Sequence, residues 1–368
     1  MKRRTSHLNK KNKSITLLFF LPVLISLIGL IFVFESSSVR SFTETGNSFY
    51  YLKYQFIWII LGLIAMVFFS FFDYHKLYYL SFILMLSTIA LLFLVLIPGV
   101  GNKIGGARRW LDLGIIALQP TELAKISVVI YLSSWFISRE RKRFFSFLIL
   151  LCLLMFLIFL QPDMGTATII FLLSIIMYYL AGIELHYLIF LLPASFFGFL
   201  FLIKVSPYRF KRLLAFFNPS LDPLGITYHI NQIMISLSNG GLLGQGLGAS
   251  RQKFLFLPEA HTDSIFAIIG EEIGFIGSFL LIVAYLVLIY KLLAVVNSSP
   301  DRFGRLLSGG IFAFFNLQII INLASMVNLV PLTGIPLPFI SYGGSNLLVC
   351  FSMMGILINI ARKSRLAA

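Results

Sequence analysis

Residues 15–34 read ITLLFFLPVLISLIGLIFVF and follow a basic stretch containing Lys2, Arg3, Arg4, Lys10, Lys11 and Lys13. An uncharged apolar run of about 20 residues is long enough, as a helix, to cross the roughly 30 Å hydrocarbon core of a bilayer. It exceeds the roughly 7–15 residues of a secretory-signal core, and no A-x-A cleavage pattern follows it, although Ser36, Ser37 and Ser38 are small. The expectation is a first transmembrane helix that stays in the protein, with the basic tail 1–14 held in the cytoplasm.

Comparable runs recur to the other end of the chain, near 55–72, 78–97, 121–137, 144–160, 166–182, 187–203, 265–289, 309–326 and 346–361. The 368 residues are 59% hydrophobic and only 12% charged, against about 45–50% and 25% in soluble domains. The chain therefore reads as an all-α integral membrane protein with about ten transmembrane helices, residues 15–368 forming a single polytopic domain. Its one long non-hydrophobic stretch, 204–264, is expected to be a large extracytoplasmic loop between helices 7 and 8. The net charge of +15 is distributed between apolar runs, which points to membrane topology and away from nucleic acid. Counting Lys and Arg places both termini, the loop 139–143, Lys291, Arg302 and Arg305 in the cytoplasm. Arg108 and Arg109, and then Arg209, Lys211 and Arg212, fall on the opposite side. The charge rule is weak for long loops, so this exception carries most weight for Arg108 and Arg109, and suggests an anionic ligand there. Cys152 and Cys350 lie in apolar runs with no metal or disulfide spacing and read as membrane-buried packing residues.

Four clusters carry chemistry. Arg108-Arg109-Trp110 runs into Gln119-Pro120-Thr121-Glu122-Leu123-Ala124-Lys125, where Pro120 suits a first helical turn and Glu122 its positive end. Glu122 and Lys125 share a face and either neutralise each other or leave Arg109 and Lys125 as a cationic wall for phosphate. In Gln161-Pro162-Asp163-Met164-Gly165, Asp163 stands where a helix N-cap belongs. Leu257-Pro258-Glu259-Ala260-His261-Thr262-Asp263 ends the long loop and leads into a span containing Glu271 and Glu272. Thr262 or Asp263 would serve as N-cap, which accounts for one carboxylate and not for three. A helix starting near Asp263 would set Glu271 about 80° from it, so that both could line one cavity, with Glu272 about 180° away. No second His or Cys is near enough for zinc, while a hard divalent cation on carboxylates stays open. Last, PLTGIPLPFISYGGS over 331–345, which includes Ser341, is broken by Pro and Gly yet apolar, as a re-entrant or cavity-lining segment would be. Residues 226–239 have the periodicity of an interfacial helix, and 240–248 read as a flexible Gly-rich turn.

QPTELAK, QPDMGTA, GQGLG, LPEAHTD followed by GEEIGFIG, and PLPFISYGG stand in this order over roughly 50–360, and together they resemble the SEDS (shape, elongation, division and sporulation) family. PEAHTD and NPSLDPLG look closer to its FtsW-like division branch than to its RodA-like elongation branch, whereas Ser264 replaces the usual Phe. The resemblance implies a multi-pass protein of the bacterial cytoplasmic membrane that polymerises lipid II, the undecaprenyl-pyrophosphate-linked disaccharide-pentapeptide, into peptidoglycan glycan strands. It implies a class B penicillin-binding protein as partner, within the divisome or elongasome. It maps the essential Asp onto Asp263 and the lipid-II cavity onto Arg109, Glu122, Lys125 and Asp163; Glu259, His261, Glu271 and Ser341 join them as candidate substrate-binding residues. No organic cofactor is expected; Mg2+ or Mn2+ at Asp263 stays open. The rivals are a lipid II flippase, which needs ionisable groups through the whole membrane depth, and a scaffold without chemistry.

Overall fold

Buried polar backbone must be satisfied within the segment that crosses a bilayer, so long apolar stretches have little alternative to the helix. A computed structural model describes residues 2–104, 107–112, 114, 117–137, 144–182, 186–205, 207–218, 220–223, 225–254 and 256–366. The basic loop 139–143, Gly105, Gly106 and the side chain of Arg209 lie outside the described residues. Each predicted span coincides with a helix: α1 (Lys2–Thr45), α2 (Tyr50–Phe71), α3 (Tyr74–Leu94), α4 (Pro120–Trp135), α5 (Phe144–Leu160), α6 (Met164–Leu180), α7 (His186–Val205), α10 (Ile265–Asn297), α11 (Arg302–Met326) and α12 (Gly344–Leu366). Six of the described helices are long and apolar enough to cross a membrane, and α5 and α6 are shorter apolar ones. The protein is a multi-pass membrane protein.

Three features go beyond the sequence reading. The first helix continues well past Phe34, to Thr45. The stretch 204–264 is not a plain loop: it holds α8 (Pro207–Phe217) and the expected interfacial helix, α9 (Tyr228–Gly240). Between α3 and α4 a small antiparallel sheet forms, β1 (Gly101–Ile104), β2 (Ala107–Asp112) and β3 (Ala117–Leu118), in that order. It pins Arg109 to the end of the bundle where α4 begins.

The centre of the bundle is α12, whose apolar stretch is almost wholly buried and packs against α2, α1, α4 and α11. Small residues permit close approach: a β-carbon on Gly29 of α1 would meet the Ile340 backbone at 2.6 Å, and one on Gly344 would meet the Trp58 ring at 1.9 Å. Cys350 is buried in this core, whereas Cys152 lies on the outer surface of the apolar helix α5 and does not pack in the protein core.

Helix α10 is broken. Gly274 has φ 65° and ψ −167°, a conformation essentially reserved for glycine. The backbone groups freed there are taken up by the Gly-rich segment, which is therefore fixed in place instead of flexible. Gln245 N donates to Glu271 O at 2.9 Å and Gly246 N to Glu272 O at 3.0 Å, while Phe275 N donates to Gly241 O at 2.9 Å and Ile276 N to Leu242 O at 3.1 Å. A β-carbon on Gly244 would lie 2.2 Å from Glu272 O, so only glycine allows the approach.

Candidate functional site

The site is organised by the segment 331–343, which runs through the end of the bundle with Ile335, Leu337, Phe339 and Ile340 buried. Its prolines and Gly334 forbid a helix, and its carbonyls are satisfied by side chains from the surrounding helices. Gln318 Nε2 donates to Pro336 O at 2.9 Å and Tyr285 OH to Pro338 O at 2.5 Å. Asn322 Nδ2 donates to Ile335 O at 2.7 Å and also to the backbone O of Asp263 at 2.9 Å, so one side chain ties this segment to the loop before α10. Tyr342 N donates to His261 O at 2.9 Å. Ser341 is part of this scaffold: its Oγ accepts from Leu337 N at 2.8 Å and its carbonyl accepts from Gln55 Nε2.

Asp263 sits beside this segment. Gly334, whose φ of 70° suits glycine, passes beside it: a β-carbon there would lie 3.5 Å from Asp263 Oδ2. Thr262 Oγ1 donates to Asp263 Oδ1 at 3.1 Å. Helix α10 begins at Ile265 with Ser264 in the N-cap position and no side-chain cap, so neither Thr262 nor Asp263 is used as a cap and the carboxylate remains available. Burial pushes the Asp263 carboxyl above the usual carboxylate range; the nearby Arg212 charge and hydrogen bonds from Thr262 and the Ser264 backbone pull the other way without cancelling it. Arg212 Nη1 donates to Leu332 O at 3.0 Å, from α8 to the 331–343 segment. His229 of α9 pairs through Nε2 with Ser264 Oγ at 2.8 Å and is pushed down to about 4, chiefly by burial and then by Arg212. Lys211, Arg212, His229, Gly225, Ile226 and Leu332 are among the residues around a cavity of about 250 Å3 at this junction.

The neighbouring candidates divide into two groups. His261 is buried between Tyr51 and Tyr342, ring centroids 4.7 and 5.5 Å away, and is pushed down to about 4 by burial, so it is neutral at pH 7. Glu259, with φ 49°, is half-exposed, accepts from Thr262 Oγ1 at 3.0 Å and faces Arg40 of α1 at 3.8 Å. Glu271 does not join Asp263 in one cavity: it is buried with its carboxylate on Ser250 Oγ, against the Gly-rich segment. Glu272, also buried, faces the backbone N–H groups of Gly248 and Ser250 in the same Gly-rich segment.

The second group gathers where α4 and α6 begin. Asp163 is the N-cap of α6: Oδ1 accepts from Thr166 N at 3.1 Å, and Oδ2 from Gln119 Nε2 at 3.3 Å and Thr121 Oγ1 at 3.4 Å. A β-carbon on Gly165 would lie 2.4 Å from Thr333 O, so the turn at Thr333 and Gly334 has the Asp163 helix end on one side and Asp263 on the other. Of the two expected wall cations, Lys125 is paired and Arg109 is held by backbone carbonyls. Arg109 donates from Nε to Gln161 O at 2.9 Å and from Nη2 to Pro162 O, and buried Lys125 donates to Glu122 Oε1 at 2.6 Å. The cation that reaches Asp263 is Arg212, which the sequence discounts because it lies in a long loop; its spacing in an amphipathic run, shared with Lys211, was the available signal. Among the described residues no group of three or more His, Cys, Asp or Glu is placed to hold a metal, so Asp263 would offer a divalent cation a single carboxylate.

The family model described as "Cell cycle protein", FtsW/RodA/SpoVE, matches residues 15–366. The chain is 38% identical to stage V sporulation protein E of Bacillus subtilis (strain 168), covering 97% of this chain and 99% of that protein. It is 37% identical to a probable peptidoglycan glycosyltransferase FtsW of Trichlorobacter lovleyi, covering 95% and 93%. Among solved structures it resembles a chain of a peptidoglycan synthase complex described as coordinating polymerization and crosslinking (TM-score 0.77, 27% identity, 94% and 97% covered). It also resembles the rod shape determining protein RodA of Thermus thermophilus (TM-score 0.68, 26% identity, 94% and 96% covered).

Proposed function

This chain belongs to the FtsW/RodA/SpoVE family, and from that premise we propose that it is a peptidoglycan glycosyltransferase that polymerises lipid II at the outer face of the cytoplasmic membrane. The observation that carries the reading is Asp263: a carboxylate that caps no helix, lies beside the Gly334 turn, is raised by burial and is faced by Arg212. A carboxyl raised in this way is a stronger base than an ordinary carboxylate, which suits a general base. Asp263 takes the proton of the acceptor sugar's 4-hydroxyl as that oxygen forms a bond to the donor's anomeric carbon. The anomeric carbon–phosphate oxygen bond breaks, and polyprenyl pyrophosphate leaves with the bonding electrons. Proton transfer by a positioned base is worth about 10²–10⁴-fold. Fixed positive charge where the leaving group develops its own charge adds to this, and Arg212 provides it beside Asp263. A divalent cation such as Mg2+ or Mn2+, when bound, would use Asp263 and substrate oxygens and add Lewis-acid help to the diphosphate.

In this reading both termini are cytoplasmic, residues 204–264 face the outside and a class B penicillin-binding protein crosslinks the strands made here. The likeness to a chain of a synthase complex that couples polymerization to crosslinking supports the partnership. The test is glycan-chain formation from purified lipid II by the reconstituted full chain, alone and with its class B penicillin-binding protein, with divalent cations added or chelated. Polymer from wild type and none from Asp263→Ala, at equal folded protein, is the expected result. Polymer from Asp263→Ala would remove Asp263 from the role of base. Absence of polymer from wild type with partner and cations present, together with lipid II translocation, would establish a flippase instead.

A further inference from the structure

His229 takes no part in the proton transfer assigned to Asp263, yet its ring is bound at both ends of the loop that carries that residue. Nε2 lies 2.8 Å from Ser264 Oγ, and the ring also bonds the backbone of Pro258. Proline has no N–H, so the partner there is the Pro258 carbonyl, which only accepts. Burial, and then the Arg212 charge, push the ring down to about 4, so at pH 7 it is neutral and has a single N–H. That N–H goes to Pro258, and the ring's lone pair accepts the hydroxyl proton of Ser264. The one donor and the one acceptor are both spent within the protein. Ser264 is fully buried and stands where the family usually carries Phe. A phenyl ring could not make this bond, so the clasp follows from this chain's own departure from the shared motif.

What the ring holds is the immediate frame of Asp263. The Ser264 N–H is directed at the Asp263 carboxyl, and Ser264 O accepts from Ala267 N at 3.0 Å in the first turn of α10. Between the clasped residues the chain turns tightly: Glu259 has φ 49°, and Thr262 N and Ser264 N both donate to its carbonyl at 3.2 Å. The Asp263 carbonyl is fixed by Asn322, so slack at Ser264 would turn the Asp263 side chain away from its place. The clasp itself is anchored. Helix α9 begins on Asp222, whose Oδ2 accepts from Ile226 N at 3.2 Å and whose carbonyl accepts from Thr227 Oγ1 at 2.8 Å. Farther along, α9 lies hard against α10: Ile233 is buried, and a β-carbon on Gly240 would meet Gly270 O at 1.9 Å. A helix fixed at both ends delivers His229 to the loop.

We propose that His229 is a positioning residue for the reaction: by clasping Pro258 and Ser264 it holds the intervening loop so that the Asp263 carboxyl meets the acceptor hydroxyl, without touching substrate itself. A misplacement of about 1 Å at a reacting group can cost ~10²-fold in rate. The inference rests on the polymerase reading for the reaction, whereas the clasp is measured without substrate.

The experiment uses the full chain reconstituted with its class B penicillin-binding protein, and compares wild type, His229→Leu, His229→Gln and Ser264→Ala at equal folded protein. Initial rates on purified lipid II give kcat and KM, and backbone amide exchange over 259–264 is followed without lipid II. His229→Leu removes both donor and acceptor; it should lower kcat about 10–100-fold with KM unchanged, and raise exchange across the loop. His229→Gln keeps one donor and one acceptor and should recover most of that loss. Ser264→Ala removes only a hydroxyl, so it decides the matter if His229→Leu does not fold. It should also lower kcat, and combining it with His229→Leu should add less than about twofold, since both remove the same bond. Unchanged kcat in His229→Leu and Ser264→Ala while wild type polymerises would overturn this proposal alone. A rise in KM at constant kcat would overturn it by making His229 a substrate contact, and a loss that His229→Gln does not repair would overturn it by making the ring itself necessary. A wild type that makes no polymer would fault the polymerase reading, and amide exchange then judges the clasp: lost protection in His229→Leu upholds it and unchanged protection overturns it.

Discussion

Asp263 works as a base only once its proton has left, and burial delays that loss. Activity should therefore fall as the pH drops through the raised Asp263 titration, giving an acid limb at higher pH than an ordinary carboxylate would, as seen in a pH–rate profile on lipid II. The stability consequence has the opposite sign. A carboxyl whose folded-state pKa is raised withdraws stability as the pH rises through that value. Asp263→Asn should thus raise the melting temperature at pH 8 while losing activity; a lowered melting temperature would contradict the burial argument. His261 and His229 behave differently. Both are about 4 in the folded protein, against about 6.5 in an unfolded chain. Their stability is fully present above pH 6.5 and is lost as the pH falls toward 4, about 3 kcal/mol each at most. Melting curves between pH 7 and 4.5 should show that loss and should flatten in His261→Gln. Asp163 was legible as a cap because local spacing dictates it. Arg212 was not, because its place beside Asp263 is set by chain separated by the whole of α9.

At the scale of elements, the break in α10 makes the clearest demand. Alanine at Gly274 would have to adopt φ 65° and would place its β-carbon 2.3 Å from Gly244 N. Backbone strain alone costs about 1–3 kcal/mol, and the clash adds to it, so Gly274→Ala should lower the melting temperature by several degrees and free the Gly-rich segment to proteolysis. Gly46→Ala is the control, since Gly46 also has positive φ but nothing within 4 Å; its loss should stay near 1 kcal/mol. Asp163→Ala should cost about 1 kcal/mol for the cap, with a further loss from the stranded Gln119 and Thr121. The ten spans were readable because hydrophobic length forces a helix in lipid. The Gly-rich segment was misread as flexible because what holds it is backbone paired to backbone, which leaves no side-chain signature. The sheet was missed because strands as short as Ala117–Leu118 have no room for alternation.

Across the whole molecule, buried charge has been neutralised in place. Lys125 and Glu122 are both buried and paired, with one Glu122 oxygen left unpartnered. Lys125→Met alone should cost about 3–5 kcal/mol by stranding Glu122, whereas Lys125→Met with Glu122→Gln should recover most of it; thermal melts of the cycle decide. Orientation is tested by labelling: after removal of Cys152 and Cys350, Ser220→Cys should react with an impermeant maleimide in intact cells and Lys363→Cys should not. The stitched break in α10 also bears on biogenesis. The portion 275–297 carries no charge apart from Lys291 and is apolar enough to partition into lipid from the translocon unaided, whereas 265–273 carries two glutamates and an unfinished backbone. That portion is completed only when the segment 241–246 folds back onto it. Crosslinking between positions 242 and 276, which pair across the break and are both exposed, should therefore appear later in a pulse-chase than membrane insertion of α10 itself, making closure of the break a late step in assembly.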